Sequence, residues 1–378
     1  ANIDVKPQET KQIQLPFTVS TAQDGKERLV NIEYRLKKAE PLMEAGQVVA
    51  YQQLMMGEWK GNDITTPTAQ QKVMMAKEGK KAHIDNGKKS EELAVITHSI
   101  DVAWDKTTGL LKRYMVAGKQ LLGQGGTLKP NFWRAVTDND MGGSANKDYK
   151  AWFNPEMKLK SINIKKGAKG MADVAVVNAI YDMPTVKAQL TLTYNVAADG
   201  SITVTQAMKT SKGANVSPMF RFGMLMELPY NMDQTTFYGR GPIENYADRK
   251  LSQNIGIYKQ TADEQFYPYI RPQETGTKCD LRWWQQTDAQ GQGFTVMSDK
   301  TFSASALHYA IADLNDGDEK EQRHSSQVPK SKFTNLCIDL AQAGVGGVDS
   351  WSKRGLALPQ YRVDYKDHVF KFVIKVKH

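Results

Sequence analysis

The sequence predicts an all-β protein built from two unequal sandwich domains. Three observations carry that expectation. Apolar and polar residues alternate with period two along most of the chain, helical periodicity is scarce, and turn residues separate alternating runs. At 378 residues the chain is too long for one ordinary domain. Its 40% hydrophobic and 24% charged residues match a folded chain rather than a disordered one.

Taken in order, the run QIQLPFTV alternates at Ile13, Leu15, Phe17 and Val19, and RLVNIEYRL alternates at Val30, Ile32, Tyr34 and Leu36. Both read as strands with one buried and one wet face. Between about Met55 and Leu93 the alternation fades into glycine, lysine and threonine. The domain boundary is therefore expected there, giving a small immunoglobulin-like sandwich over residues 1–82 and a large β sandwich over 83–378. In the second, AQLTLTYNVAADGSITVTQAM sets Asp199 and Gly200 between two alternating runs. That is a hairpin signal, because glycine tolerates the positive φ of a tight turn. The adjacent Trp283 and Trp284 should point to opposite faces of a strand. HVFKFVIKVK supplies the last strand.

Composition excludes several classes of function. The net charge of +9 comes from scattered Lys and Arg, and the densest run, Lys77 to Glu92, is mixed in sign and lacks interleaved aromatics. It reads as a solvated linker rather than a nucleic-acid surface. Cys279 and Cys337 are isolated in sequence, so no CxxC metal site or disulfide framework is indicated, and both are expected to be buried thiols. No stretch reaches the eighteen or so continuous apolar residues of a membrane helix. The polar start ANIDVKPQET has no signal-peptide pattern and reads as the middle of something longer. A soluble protein is expected, with cytoplasm or periplasm left open.

Candidate chemistry lies in a few short segments. Glu244 in YGRGPIENYADRK and Glu274 in YPYIRPQETG sit beside Arg240, Asn245 and Arg271. Two carboxyl groups flanking a sugar bond are the requirement of a glycosidase, and arginine and amide side chains bind sugar hydroxyls. The better reading of the same residues is that arginine and carboxylate pair with one another to hold loops over the sandwich. FWRAVTDND (132–140) joins two aromatics, an arginine and three Asx acceptors; it suits either a cation site or, better, a structural corner. The six histidines form no HxH or HExxH arrangement, leaving zinc without a signal. Trp351 is unusual. It stands in GVGGVDSWSKRG, where glycine and serine surround a large indole and no alternation places it inside.

Read together, GRGPIENYADRK, YIRPQETG, FWRAVTDND and GGVDSW resemble the C-terminal part of large bacterial LacZ-type β-galactosidases, glycoside hydrolase family 2. SIDVAWDKTTGLLKRYMVAGKQLL is similar to the family's entry into its last domain, and EAGQVVAYQQLMM to the immunoglobulin-like domain before it. Val136 stands where the family usually has proline, Ile243 where histidine is common and Val348 where aspartate is frequent. None of these departures removes the tryptophan.

The resemblance implies a last domain of galactose-mutarotase type, an antiparallel supersandwich. It implies that both catalytic glutamates lie on an upstream (β/α)8 barrel that this sequence does not contain, so the chain is expected to be inactive alone. It matches Trp351 to the tryptophan that reaches from the last domain to the sugar, on a glycine-rich loop expected to be mobile. Partners implied are a β-galactoside, the barrel and further copies of the whole protein. Mg and Na sites are implied mostly outside this region, with no cofactor within it. Two other functions compete: a stand-alone carbohydrate-binding or assembly module, and an aldose 1-epimerase (mutarotase), which would need a histidine beside a glutamate.

Overall fold

A computed structural model describes residues 4–14, 18, 26–77, 81–167, 173–321 and 323–377. The chain forms two compact units, Ala1–Lys60 and Gly61–His378.

In the first unit, the expected strand forms at Arg28–Arg35 and pairs antiparallel with Val48–Gly57, setting Ile32 opposite Gln52 and Tyr34 opposite Ala50. None of the described residues of this unit is buried, and Tyr34, Tyr51 and Met55 are exposed. The described part is thus a two-stranded ribbon without the second layer that an immunoglobulin-like sandwich needs. Of the first alternating run, Leu15, Phe17 and Val19 fall outside the described residues, and Ile13 is exposed and in no strand.

The second unit begins earlier than the expected 82/83 boundary. Asn62 donates from Nδ2 to the carbonyls of Arg282 (2.7 Å) and Ser298 (3.0 Å), which fixes this segment to the large sheet. A helix, Ala69–Lys77, follows where only a fading pattern was read. Thr68 and Gln71 cap its start reciprocally, a capping box, and Met74 and Met75 pack on the core. The lysine-rich run is not a free linker either, because His83–Asp85 pairs with Glu92–Ile96 as a strand.

The rest is all-β, a large antiparallel system whose pairings close on themselves. Ala188–Ala197 and Ile202–Thr210 form the expected hairpin, with Gly200 at φ +83° in its turn. His368–Val376 is the last strand, paired with Ile202–Thr210 and Gly293–Leu307. One continuous core holds Trp104, Trp152, Trp284, Tyr194 and Phe222, all essentially inaccessible. Trp284 stacks on Phe237 inside, while Trp283 lies on the other face near Tyr238, as strand geometry requires. Cys279 and Cys337 are free and buried, and burial pushes both thiols up to about 12.

Three neighbouring strands present a polar face away from this core. Leu128–Asn131 and Phe333–Gln342 flank Arg221–Pro229, with Leu225 opposite both Lys129 and Cys337 and Gly223 opposite both Asn131 and Asp339. Alternation sends Met224, Met226, Leu336 and Ile338 to the core. It leaves Lys129, Asn131, Leu225, Glu227, Asn335 and Asp339 on the other face.

Candidate functional site

The separate sequence motifs converge around the loop that carries Trp351. Its base is bound from two of them. Asp248, in the NYADR segment, accepts from the backbone amides of Val345 (3.1 Å) and Gly346 (2.8 Å). Arg134 donates to Gly344 O (3.0 Å), and Asn139 donates to Val345 O (3.1 Å) while its Oδ1 accepts from Ser350 Oγ (2.7 Å). Asp349 closes the tip, accepting from the amides of Trp351 and Ser352 and from Ser352 Oγ (2.7 Å). The Ser352 hydroxyl, with the two amides, holds the Asp349 carboxyl below its ordinary range.

Two glycines make this closeness feasible. A Cβ on Gly344 would collide with the Asp248 carboxylate, and one on Gly142 with the Ser350 carbonyl. The glycines therefore serve close approach, and the loop base is tied where sequence alone predicts mobility. The indole itself stands outside this network. Trp351 is 80% exposed, beside a cavity of about 530 Å³ lined by Met141, Gly142, Ser144, Lys320 and Ser350 among others.

The FWRAVTDND segment is a corner rather than a cation site. Thr137 and Asp140 form a capping box that starts the helix Asp138–Gly142, and the Asp140 carboxylate also takes the buried Arg134 guanidinium (Nη2 to Oδ1 3.1 Å). Asp138 is engaged by Arg271 (3.1 Å) and Lys320 (2.9 Å). Among the described residues there is no group of three or more His, Cys, Asp or Glu placed to hold a metal ion.

The other predicted residues are all engaged within the chain. Glu244 accepts from Arg249 (2.6 Å), Thr275 Oγ1 (3.0 Å), the Gly276 amide (2.7 Å) and the Tyr269 hydroxyl. Asn245 is fully buried; its Nδ2 donates to the Arg240 and Ile243 carbonyls and its Oδ1 accepts from the Cys279 amide. Arg240 pairs with Asp280 (2.6 Å), which Lys250 also contacts (2.7 Å). Burial works to raise the Asp280 carboxyl, but these two cations outweigh it and hold it low. Arg271 bridges Asp138 and the buried Asp316. Glu274 accepts from Arg221 (2.9 Å) and Thr277 Oγ1 (2.9 Å). Glu244 and Glu274 are brought near one another around Tyr269 and Tyr246, and Glu274 lines a small recess of about 180 Å³ with Asn139, Tyr246, Arg249 and Val345.

Sequence reasoning missed the charges beneath this recess. Arg221 lies between Glu274 and Asp339, all three buried. Its Nη1 is 3.2 Å from Asp339 Oδ2 without hydrogen-bond alignment, and both Asp339 oxygens lack a hydrogen-bond donor. Burial pushes the Asp339 carboxyl up to about 7 despite the Arg221 charge. Neither residue lies in a recognisable motif, so no local signal could have found them. Asp248 was legible only as part of its quoted segment.

Comparison with known proteins decides the family. Residues 97–374 match the family model described as β-galactosidase small chain. The chain belongs to the β-galactosidase small-chain family. Residues 1–57 match the model described as β-galactosidase, domain 4, so the small-chain region is preceded by a domain 4 segment. A β-galactosidase of Priestia megaterium (strain DSM 319 / IMG 1521) is 29% identical over 357 residues, covering 93% of this chain and 32% of that protein. A β-galactosidase of Lactobacillus delbrueckii subsp. bulgaricus is 34% identical over 224 residues, covering 59% of this chain and 21% of that protein. The chain thus spans about a third or less of the length of these curated relatives. A galactose mutarotase related enzyme from Lactobacillus acidophilus superposes with TM-score 0.40 at 10% identity, covering 76% of this chain and 97% of that chain; so weak a likeness carries no argument about this small-chain region. No helix of the described residues is long and apolar enough to cross a membrane.

Proposed function

We propose that this chain is a non-catalytic region of a β-galactosidase that hydrolyses terminal β-D-galactosides. In this reading it presents Trp351 to a sugar held in an active site whose two carboxyl groups lie on a barrel elsewhere in the protein. One observation carries the proposal: the indole is 80% exposed while the loop beneath it is bound by three motif residues, Arg134, Asn139 and Asp248. A ring presented to solvent on a fixed base suits stacking on the apolar face of a pyranose, leaving the hydroxyls for other partners. The family membership of the small-chain region and the β-galactosidase names of its relatives support the substrate class.

Glu244 and Glu274 act as braces in this reading, since each is enclosed by donors from the chain itself. The epimerase alternative draws little support. His308 does pair with a carboxylate, Asp263 at 3.0 Å, but its second nitrogen sits 3.0 Å from Tyr230 O and its ring is stacked on Tyr230. Neither ring nitrogen of His308 is left to take a sugar proton. The reading is tested by incubating this chain with a chromogenic β-galactoside, where turnover at the buffer rate is expected. Turnover above buffer that falls in Glu244→Gln or Glu274→Gln would locate an active site within the chain and overturn it.

A further inference from the structure

A third hollow lies away from the Trp351 loop and shares no lining residue with the two recesses beside that loop. It is a cleft of about 510 Å³, within the roughly 300–1,000 Å³ range of small-molecule sites. Its floor is the polar face of the strands Leu128–Asn131, Arg221–Pro229 and Phe333–Gln342. Leu225 forms a small apolar patch there, with Lys129 opposite it on one neighbouring strand, and Glu227 opposite Asn335 on the other. Phe153, Pro155, Trp133 and Ile311 form the apolar walls.

The charge of the cleft selects its ligand. Among the described residues, Lys129 and Glu227 are the only ionisable groups lining it, and they neutralise one another at 2.7 Å. Glu227 is further held by the amide and hydroxyl of Thr127 (2.9 and 3.0 Å). A phosphate or carboxylate ligand would find no free cation in this lining, and a cation no free carboxylate. What remains for recognition is an apolar floor and walls together with the Asn154 amide, Asn335 Oδ1 and the Thr107 hydroxyl, since Asn131, Asn335 Nδ2 and Thr108 are hydrogen-bonded within the chain. That combination matches an uncharged molecule carrying both hydroxyls and apolar C–H faces.

We infer that this cleft is a second binding site, for a neutral saccharide, separate from Trp351. It does not rest on the role proposed for the tryptophan. Ala312 gives a clean test because it lines the cleft, is exposed, and can carry a bulky ring without entering the core. Titration of the chain with lactose, maltose and cellobiose by calorimetry should show saturable binding of at least one, with glucuronate and glucose 6-phosphate binding no better. Ala312→Trp should weaken that binding at least about tenfold, equivalent to about 1.4 kcal/mol, at unchanged Tm. Ile257→Ala, at an exposed position outside the cleft lining, should leave it within about twofold, below about 0.5 kcal/mol. Absence of saturable binding by all three sugars overturns the inference. So does binding that survives Ala312→Trp. Binding lost in Trp351→Leu but kept in Ala312→Trp would assign the sugar to the loop instead, supporting the proposed function and removing the cleft.

Discussion

The base and the tip of the Trp351 loop are a few residues apart, yet they are built on opposite principles. At the base, Arg134 is completely buried, stacked over Phe220 at 4.5 Å, and divided between Asp140 and the Gly344 carbonyl. At the tip, Trp351 has almost its whole surface in water. A buried charge must be paired because desolvation is expensive, whereas an exposed indole satisfies nothing in the fold. The difference teaches that Arg134, Asp140 and Asp248 are taken up with holding the loop, whereas Trp351, the residue proposed to bind, is left exposed by them.

That contrast can be broken most severely at Arg134. Arg134→Leu leaves Asp140 buried without its cation and should destabilise the chain by about 3–5 kcal/mol, read as a fall in denaturant midpoint. A change below about 1 kcal/mol would mean that the base is not held by this pair. Asp248→Asn is a milder cut. It removes the carboxylate that takes two backbone amides, and a loss of about 1.5–3 kcal/mol is expected, the worth of hydrogen bonds to a charged group. A Tm equal to that of the unaltered chain would show that the loop base closes without it.

Asp339 sharpens the comparison through pH. Its carboxyl is raised to about 7 against an unfolded value near 3.8, so the folded state binds the proton more tightly. The associated stability is present below the unfolded value and is lost as pH rises through about 7. Asp339→Asn, which cannot ionise, should therefore gain stability relative to the unaltered chain as pH is raised from about 5 to about 8. Parallel Tm curves for the two proteins over that range would contradict the assignment.

Much of the second unit could be read from sequence, because alternation there coincides with a real two-faced environment. Ala188–Ala197 and Ile202–Thr210 form strands whose alternate residues are buried, Leu190, Leu192 and Tyr194 among them. The same pattern in Arg28–Arg35 forms its strand but buries nothing among the described residues, since alternation reports a strand and not the layer that covers it. The helix Ala69–Lys77 escaped notice because its apolar face is short, Val73 is exposed, and only Met74 and Met75 reach the core. The division of the chain after Lys60 falls inside the expected Met55–Leu93 window, but its exact place has a related cause. Composition marked a break, while the tie between Asn62 and two backbone carbonyls is a tertiary fact invisible in the local sequence.

For the site, the motifs were legible but the roles within them were not. Glu244 and Arg271 stood out because glutamate and arginine beside tyrosine resemble a sugar site; in the structure the Tyr269 and Thr275 hydroxyls, the Gly276 amide and Arg249 enclose the Glu244 carboxylate. Arg221 and Asp339 were silent because strand residues on the face opposite a core look like surface residues in sequence. The cleft above Leu225 depends on register between three distant strands, which alternation alone cannot supply.

The central claim is that Trp351 serves binding and not stability, and one paired measurement addresses it. In a β-galactosidase assembled with this chain as its C-terminal region, Trp351→Leu should raise KM for a β-galactoside about 5- to 150-fold with a smaller effect on kcat, as expected for losing about 1–3 kcal/mol of aromatic stacking shared by ground and transition states. The Tm of the present chain with the same substitution should stay put, within the about 0.5 kcal/mol typical of exposed positions. An unchanged KM together with a Tm lower by several degrees would make the indole a packing residue and contradict the account.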